Sequence, residues 1–358
     1  MEGWPVMSAI RLYMTATGMV SPVGLSAASA CAAMRAGLSA FGRLPYWDNT
    51  RKPITGSPVP VLPLDLGRHE RLVDLLAMAL ADATGGDAGA DSEQVPLLVA
   101  VAEPGRPGGG AALADELVPK VERRLERRFH PGLSRVLTGG SAAGFQALDV
   151  ARKLLWERRA SSCLVCAVDS FLDARSLLWL ESHGRLKSRR NADGVIPGEA
   201  AACVRVELRT GTERRPLATV MGLGFARERA SVLNQEPLRA DGLVGAGRAA
   251  LEEAGLRMED MELRLSDASG EVYSFKEQAL ALTRLLGVKR ERFPLWLNAE
   301  SIGEVGAAAS LCQLVRVTQA YQRGYAPGER AMCFASSASG ERAVAVVQRP
   351  KPAGEAGR

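Results

Sequence analysis

Twice in this chain a turn of small residues runs straight into an amphipathic helical pattern, first in "TGGSAAGFQALDVARKLL" (138–155) and again in "SIGEVGAAASLCQLVRVTQAY" (301–321). In each, the alanine-rich first turn must press against another backbone, so the two segments predict a duplicated unit. Along the chain, strand-like and helix-like segments alternate. "IRLYMTATGMV", "PLLVAVAEP", "SCLVCAVDS" and "AACVRVEL" read as strands, short apolar runs bounded by turn formers. "SAASACAAMRAGLS", "RLVDLLAMALADA" and "GFQALDVARKLLWERR" carry apolar residues at helical spacing. That order predicts α/β layering around sheets.

A polar stretch, "RTGTERRP" (209–216), closed by Pro216, makes a boundary. It divides residues 1–208 from residues 217–350, where the alternation resumes with "LATVMGLGFA", "GLVGAGRAALEEAGL", "MELRLSDAS", "PLWLN" and "AMCFASSASGERAVAVVQ". The tail 351–358 has no core residues and is expected to be disordered. The first residues read as an extension, since Met7 would also serve as a start. With 358 residues and 47% hydrophobic content, the chain can bury one large core or two fused ones.

Composition narrows function mainly by exclusion. No apolar run reaches the ~18 residues of a membrane span and the N-terminus lacks an export layout, so the cytoplasm is the expected compartment. The net charge of +5 suits a partner bearing negative charge, with basic residues clustered in 120–130 and 184–190; these would otherwise be a solvated helix face and a polar loop. Only 5% of residues are aromatic and no groove-reading motif is present, which argues against nucleic acid and leaves a small acidic carrier protein as a fitting partner. The six cysteines, Cys31, Cys163, Cys166, Cys203, Cys312 and Cys333, fall mostly in apolar runs and read as buried thiols. Cys163 and Cys166 form a C-x-x-C, but within a strand residues i and i+3 face opposite ways, and no second pair completes a zinc site. "EPGRPGGGAALADELVPK" lacks the lysine and hydroxyl of a phosphate-binding loop. No nucleotide, metal or other cofactor is implied.

Along nearly its whole length the chain resembles the β-ketoacyl-acyl-carrier-protein synthases, the condensing enzymes of the thiolase fold. "MTATGMVSPVG" is similar to the family's opening strand, "SAAGFQALDVARKLL" to its nucleophile turn and helix, and "NADGVIPGEAAACVRVEL" to the motif closing its first half. "DGLVGAGRAALEEAGL", "GEVGAAASL" and "FASSASGERAVAVV" follow as later landmarks in the family's order. The resemblance implies a duplicated αβαβα layered fold. It also implies catalytic positions: Ser141 stands where the family has its cysteine, and Ser269 and Glu304 where it has two histidines. Ala299 replaces a lysine, Ser336 and Ala338 replace gate phenylalanines, and Arg342 replaces an asparagine.

Those replacements change the chemistry the site could perform. A thiol at a helix N-terminus ionises readily, whereas a serine hydroxyl needs an adjacent base to become nucleophilic. A carboxylate at Glu304 would face a developing negative charge with the wrong sign, unless burial kept it neutral and able to donate. His69, His130 and His183 do not match catalytic positions and read as surface residues, His183 being the one to watch because its loop lies between the nucleophile turn and the close of the first half. Two functions remain open. The first is a ketosynthase-like protein unable to condense, an accessory subunit that binds acyl groups or an acyl carrier and pairs as a homodimer or with an active ketosynthase. The second is a serine-dependent acyltransferase or thioester hydrolase using Ser141, assisted by Ser269 or Glu304. The first is preferred, because every polar catalytic position has changed and a serine with a carboxylate but no histidine makes an inefficient relay. Structural readings stand beside the catalytic ones: Ser141 as a helix N-cap, Glu304 as the ion-pair partner of Arg342, and Asp267 as a turn residue. Together they predict a polar plug rather than an acyl tunnel.

Overall fold

The computed structural model describes residues 10–85, 94–208 and 215–350. In chain order the first half comprises β1 (Leu12–Val20), α1 (Ala27–Arg35), β2 (Gly42–Trp47), β3 (Pro53–Gly56), α2 (Arg68–Thr84), β4 (Leu97–Val101), α3 (Ala111–Leu125), β5 (Arg135–Thr138), α4 (Ala143–Trp156), β6 (Cys163–Ser170), α5 (Ala174–Ser182) and β7 (Glu199–Glu207). The second comprises β8 (Ala218–Arg227), α6 (Asp241–Ala254), β9 (Leu263–Ser266), α7 (Val272–Leu285), β10 (Leu295–Leu297), α8 (Ala299–Ile302), α9 (Ala309–Gln322), β11 (Arg330–Ser336) and β12 (Glu341–Gln348). Most of the expected 209–216 boundary, the 351–358 tail and Met7 lie outside the described residues.

The duplication is visible strand by strand. One half runs β1-β7-β6-β4-β5 and the other β8-β12-β11-β9-β10. In both, the first two contacts are antiparallel and the last two parallel. The halves join where β1 pairs with β8 through Leu12–Val220, Tyr13–Thr219 and Met14–Ala218.

Strand alternation assigns the layers. On β6, Cys163, Val165 and Ala167 enter the central core with α4 and α9, while Leu164, Cys166 and Val168 enter an outer core under α2 and α3. The C-x-x-C cysteines therefore do face opposite ways. On β12, Ala343, Ala345 and Val347 enter the same central core, and Val344 and Val346 an outer one under α6 and α7. The result is the five-layered α/β arrangement expected.

Several elements are not legible locally. The stretch after residue 40 holds the β2–β3 hairpin. Helix α5 is capped by Asp173, whose side chain accepts from the amides of Arg175 and Ser176. Helix α7 was missed because its apolar residues Val272 and Phe275 stay exposed, which blurs its buried stripe. The hairpin, α5 and residues Leu186 and Val195 form a small apolar cap of their own.

Candidate functional site

Each half ends a parallel segment in the same device. Gly140, at φ +62°, opens a 3₁₀ turn (Gly140–Ala142) that continues into α4; Gly306, at φ +49°, opens another (Gly306–Ala308) that continues into α9. Left-handed φ values favour glycine, which explains the residue type at both positions. Ser141 follows the first glycine and Ala307 the second. Ser141 is buried, and its hydroxyl donates across the pseudo-symmetry to the Gly306 carbonyl at 3.1 Å.

Ser141 is not the helix N-cap. It lies inside the 3₁₀ turn, whose cap position is Gly139, while that of α4 itself is Ala142, and neither makes a side-chain capping bond. The Ala142 amide instead donates to Ser337 Oγ at 3.0 Å, and Ser337 Oγ donates to the Gly139 carbonyl at 2.5 Å.

Ser269 and Glu304 meet directly. The Ser269 hydroxyl donates to Glu304 Oε2, and Glu304 Oε1 accepts from the Gly306 amide at 2.8 Å. The Gly306 backbone thus links all three expected positions, its N–H donating to Glu304 and its carbonyl accepting from Ser141. Burial pushes the Glu304 carboxyl above its ordinary range; the Ser269 bond, the charge of Arg185 and the Gly306 amide pull the other way.

The expected Glu304–Arg342 pair does not form. Arg342 shares its strand face with Val344 and Val346, toward α7, and there its Nε meets Glu277 Oε1 at 2.7 Å. Its Nη2 donates to Tyr273 Oη at 2.8 Å and its Nη1 to the Ser337 carbonyl at 2.9 Å. Asp267 is more than a turn residue, since its Oδ2 accepts from the Ser336 amide at 2.6 Å and burial lifts its pKa to about 7.

Ser141, Ser269 and Glu304 line one cavity, together with Glu103, Arg106, Arg185, Asp267, Glu271 and Arg342. Its volume is about 50 Å³. Small-molecule pockets usually run ~300–1,000 Å³, so this space admits water rather than an acyl chain. Ser336 and Ala338, at the gate positions, are on its wall. Behind it Asp169, fully buried, pairs with Arg106 and with Arg68 Nη2 at 3.2 Å and accepts from the Ala307 amide at 2.9 Å. Arg106 stacks over Phe171 with its guanidinium carbon 4.0 Å from the ring centre.

The histidines stand elsewhere. His69 faces Glu116 at 3.7 Å, His130 Nδ1 accepts from the Gly132 amide at 3.2 Å, and His183 packs on Trp179 with ring centres 4.6 Å apart. Sequence reasoning missed Glu103, Arg106, Arg185 and Glu271 as cavity walls. Arg185 belonged to a run read as a polar loop, and only its partner 86 residues away shows that it is buried. All six cysteines are free buried thiols. Among the described residues no cluster of His, Cys, Asp and Glu is placed to hold a metal ion, and no helix is long and apolar enough to cross a membrane.

Comparison with known proteins gives a consistent relationship. No family model matches the chain. A Streptomyces cyaneus protein assigned as a polyketide beta-ketoacyl synthase is 27% identical, with 85% of this chain and 83% of that one covered. Among solved structures, the ishigamide ketosynthase/chain length factor superposes with a TM-score of 0.77 at 18% identity, covering 96% of this chain and 100% of that chain. A ketosynthase domain of Streptomyces albus oxazolomycin synthesis gives 0.78 at 16% identity, over 96% and 75%. A type II acyl-carrier protein in complex with its ketosynthase gives 0.74 at 17% identity, over 96% and 100%. The chain is ketosynthase-like in sequence and has the thiolase fold of those enzymes.

Proposed function

We propose that this protein is a non-condensing, ketosynthase-like accessory subunit that binds an acyl carrier protein or its acyl thioester and pairs with a second copy or with an active ketosynthase. One observation carries the reading: the cavity at Ser141 measures about 50 Å³ and is walled by charged side chains. An apolar acyl chain entering it would strip those groups of their partners without replacing them.

The chemistry of the three positions supports the same reading. The Ser141 hydroxyl gives its hydrogen bond to a backbone carbonyl, which cannot serve as a general base. Ser269 donates to Glu304, so this hydroxyl is engaged with the neighbouring carboxyl. An ionised Glu304 would oppose the negative charge that a condensation develops. The net charge of +5 suits an acidic carrier, and two structural neighbours bear on partnership: one is described as a ketosynthase/chain length factor and another as a carrier in complex with its ketosynthase.

The test is incubation with a panel of acyl-carrier thioesters, followed by intact mass measurement beside a Ser141→Ala control. The expected result is carrier binding with no acyl adduct. An adduct that disappears in Ser141→Ala would replace this reading with the serine-dependent acyltransferase or thioester hydrolase.

A further inference from the structure

Two segments from opposite halves of the chain meet on the solvent side of the Ser141 cavity. The first follows α5. The chain turns at Gly184, φ +66°, and the Arg185 amide then donates to the Leu180 carbonyl at 2.7 Å. Leu186 bridges to Val195, and both sink into the apolar cap. Asn191 Nδ2 braces the loop by donating to the carbonyls of Gly184 and Leu186 at 2.7 and 3.0 Å. Its root pairs with the site itself: the Glu304 amide donates to the Ile196 carbonyl at 2.8 Å and the Gly198 amide to the Glu304 carbonyl at 2.9 Å. The second segment is the turn 267–272 between β9 and α7, which carries Ser269 and bends at Gly270, φ +111°.

Two ties join them. Arg185 Nε and Nη2 donate to Glu271 Oε1 and Oε2 at 2.8 and 2.7 Å, a bidentate fork. The Val272 amide donates to Asp193 Oδ1 at 2.6 Å. Both charged side chains line the cavity and are only 10% and 9% exposed, while Gly184, Gly270 and Val272 beside them are exposed. The ion pair therefore lines the cavity on one side and adjoins exposed residues on the other. Partial burial also shields it from salt, which weakens exposed pairs.

The geometry points to a strap: the Arg185–Glu271 pair, seconded by Asp193, holds residues 184–195 and the turn 267–272 together over Ser141, and its release opens the cavity. The inference deepens the proposed function and rests on it for what an opened cavity would admit. The strap acts through position, touching no reacting atom.

A thiol placed under the strap reports on it. Because all six native cysteines are buried, the Ser141→Cys protein gives a site-specific readout of iodoacetamide alkylation by peptide mass. With the strap intact the introduced thiol is expected to react slowly. Adding Glu271→Gln or Arg185→Met is expected to raise the rate at least about tenfold, because reaction then follows the opened population. The reciprocal exchange Arg185→Glu with Glu271→Arg should return the rate toward the parent value, which a merely structural role would not do. Asp193→Ala, at an exposed position, leaves the ion pair in place and should give a smaller increase; it remains informative if an ion-pair variant does not fold. Rapid labelling with the strap intact, or unchanged rates in the folded Glu271→Gln and Asp193→Ala proteins, overturns the strap. Neither result bears on whether native Ser141 takes up an acyl group, so the two proposals fail separately.

Discussion

In the first half of the molecule Gly140, Ser141 and Ala142 turn the chain into α4; in the second half Gly306, Ala307 and Ala308 turn it into α9 by the same backbone path. What holds the two turns differs. The second is pinned by a fully buried carboxylate, Asp169, itself fixed by Arg106 and Arg68, and by Glu304 on the Gly306 amide. The first is held by neutral groups, the Ser337 hydroxyl on the Ala142 amide and the Ser141 hydroxyl on the Gly306 carbonyl. The two halves share one backbone path, and side-chain charge makes one turn a structural anchor while the other presents a hydroxyl.

The contrast can be broken most forcefully at Asp169. Asp169→Asn should cost ~3–5 kcal/mol in urea unfolding, because the buried Arg106 loses its charged partner and Arg68 one of its two. Gly306→Ala should approach that loss, since a Cβ there would stand 2.2 Å from Asp169 Oδ2 and 2.8 Å from Arg106 Nη1.

Next in size is a pH effect at Asp267. Its folded pKa of about 7 lies above the ordinary 3.8, so between those values the folded protein holds a proton that the unfolded chain releases. Ionisation therefore costs the fold stability, fully at pH above about 7 and progressively less as the pH falls toward about 4. Asp267→Asn should gain stability relative to the parent at pH about 8, with the gain fading toward pH about 4, as read by thermal unfolding across that range. A pH-independent difference would contradict the burial of this carboxyl.

Smaller changes sharpen the first turn. Ser337→Ala should cost ~1–2 kcal/mol, by leaving the buried Ala142 amide without its acceptor. Ser141→Ala, which makes the first turn match the second, should cost ~1 kcal/mol or less, one hydrogen bond. If Ser337→Ala destabilises as much as Asp169→Asn, the division into anchor and lightly held turn is wrong. The smallest expected effect is none: Ser141→Cys combined with Glu304→His should yield no elongated product from malonyl thioesters, because Ser269 still supplies no imidazole.

The legibility of this protein in its sequence follows the range of each interaction. Strands such as β6 and β12 declare themselves through alternation, and α4 through its helical period, since those signals are complete within ten or so residues. The convergence of Ser141, Ser269 and Glu304 was readable only through resemblance to a known family. Of the charged walls, Glu304, Asp267 and Arg342 came from the same resemblance, and their pairing was not readable. Arg185 and Glu271 lie 86 residues apart and Arg342 and Glu277 65 apart. The expected Glu304–Arg342 pair failed on parity: Arg342 alternates to the face of Val344 and Val346, a constraint the period-two rule contains but which needs the sheet's orientation to apply.

The central layer has a consequence for how the two halves depend on each other. Helices α4 and α9 share a single apolar interior, with Ala143, Phe145 and Leu148 of one and Leu311, Leu314 and Val315 of the other all fully buried in it. A lone half would leave the inner face of its sheet and helix bare to water, and an apolar surface of that extent requires a mate. Each half is therefore the other's mate, and carrying both in one chain makes that association independent of concentration.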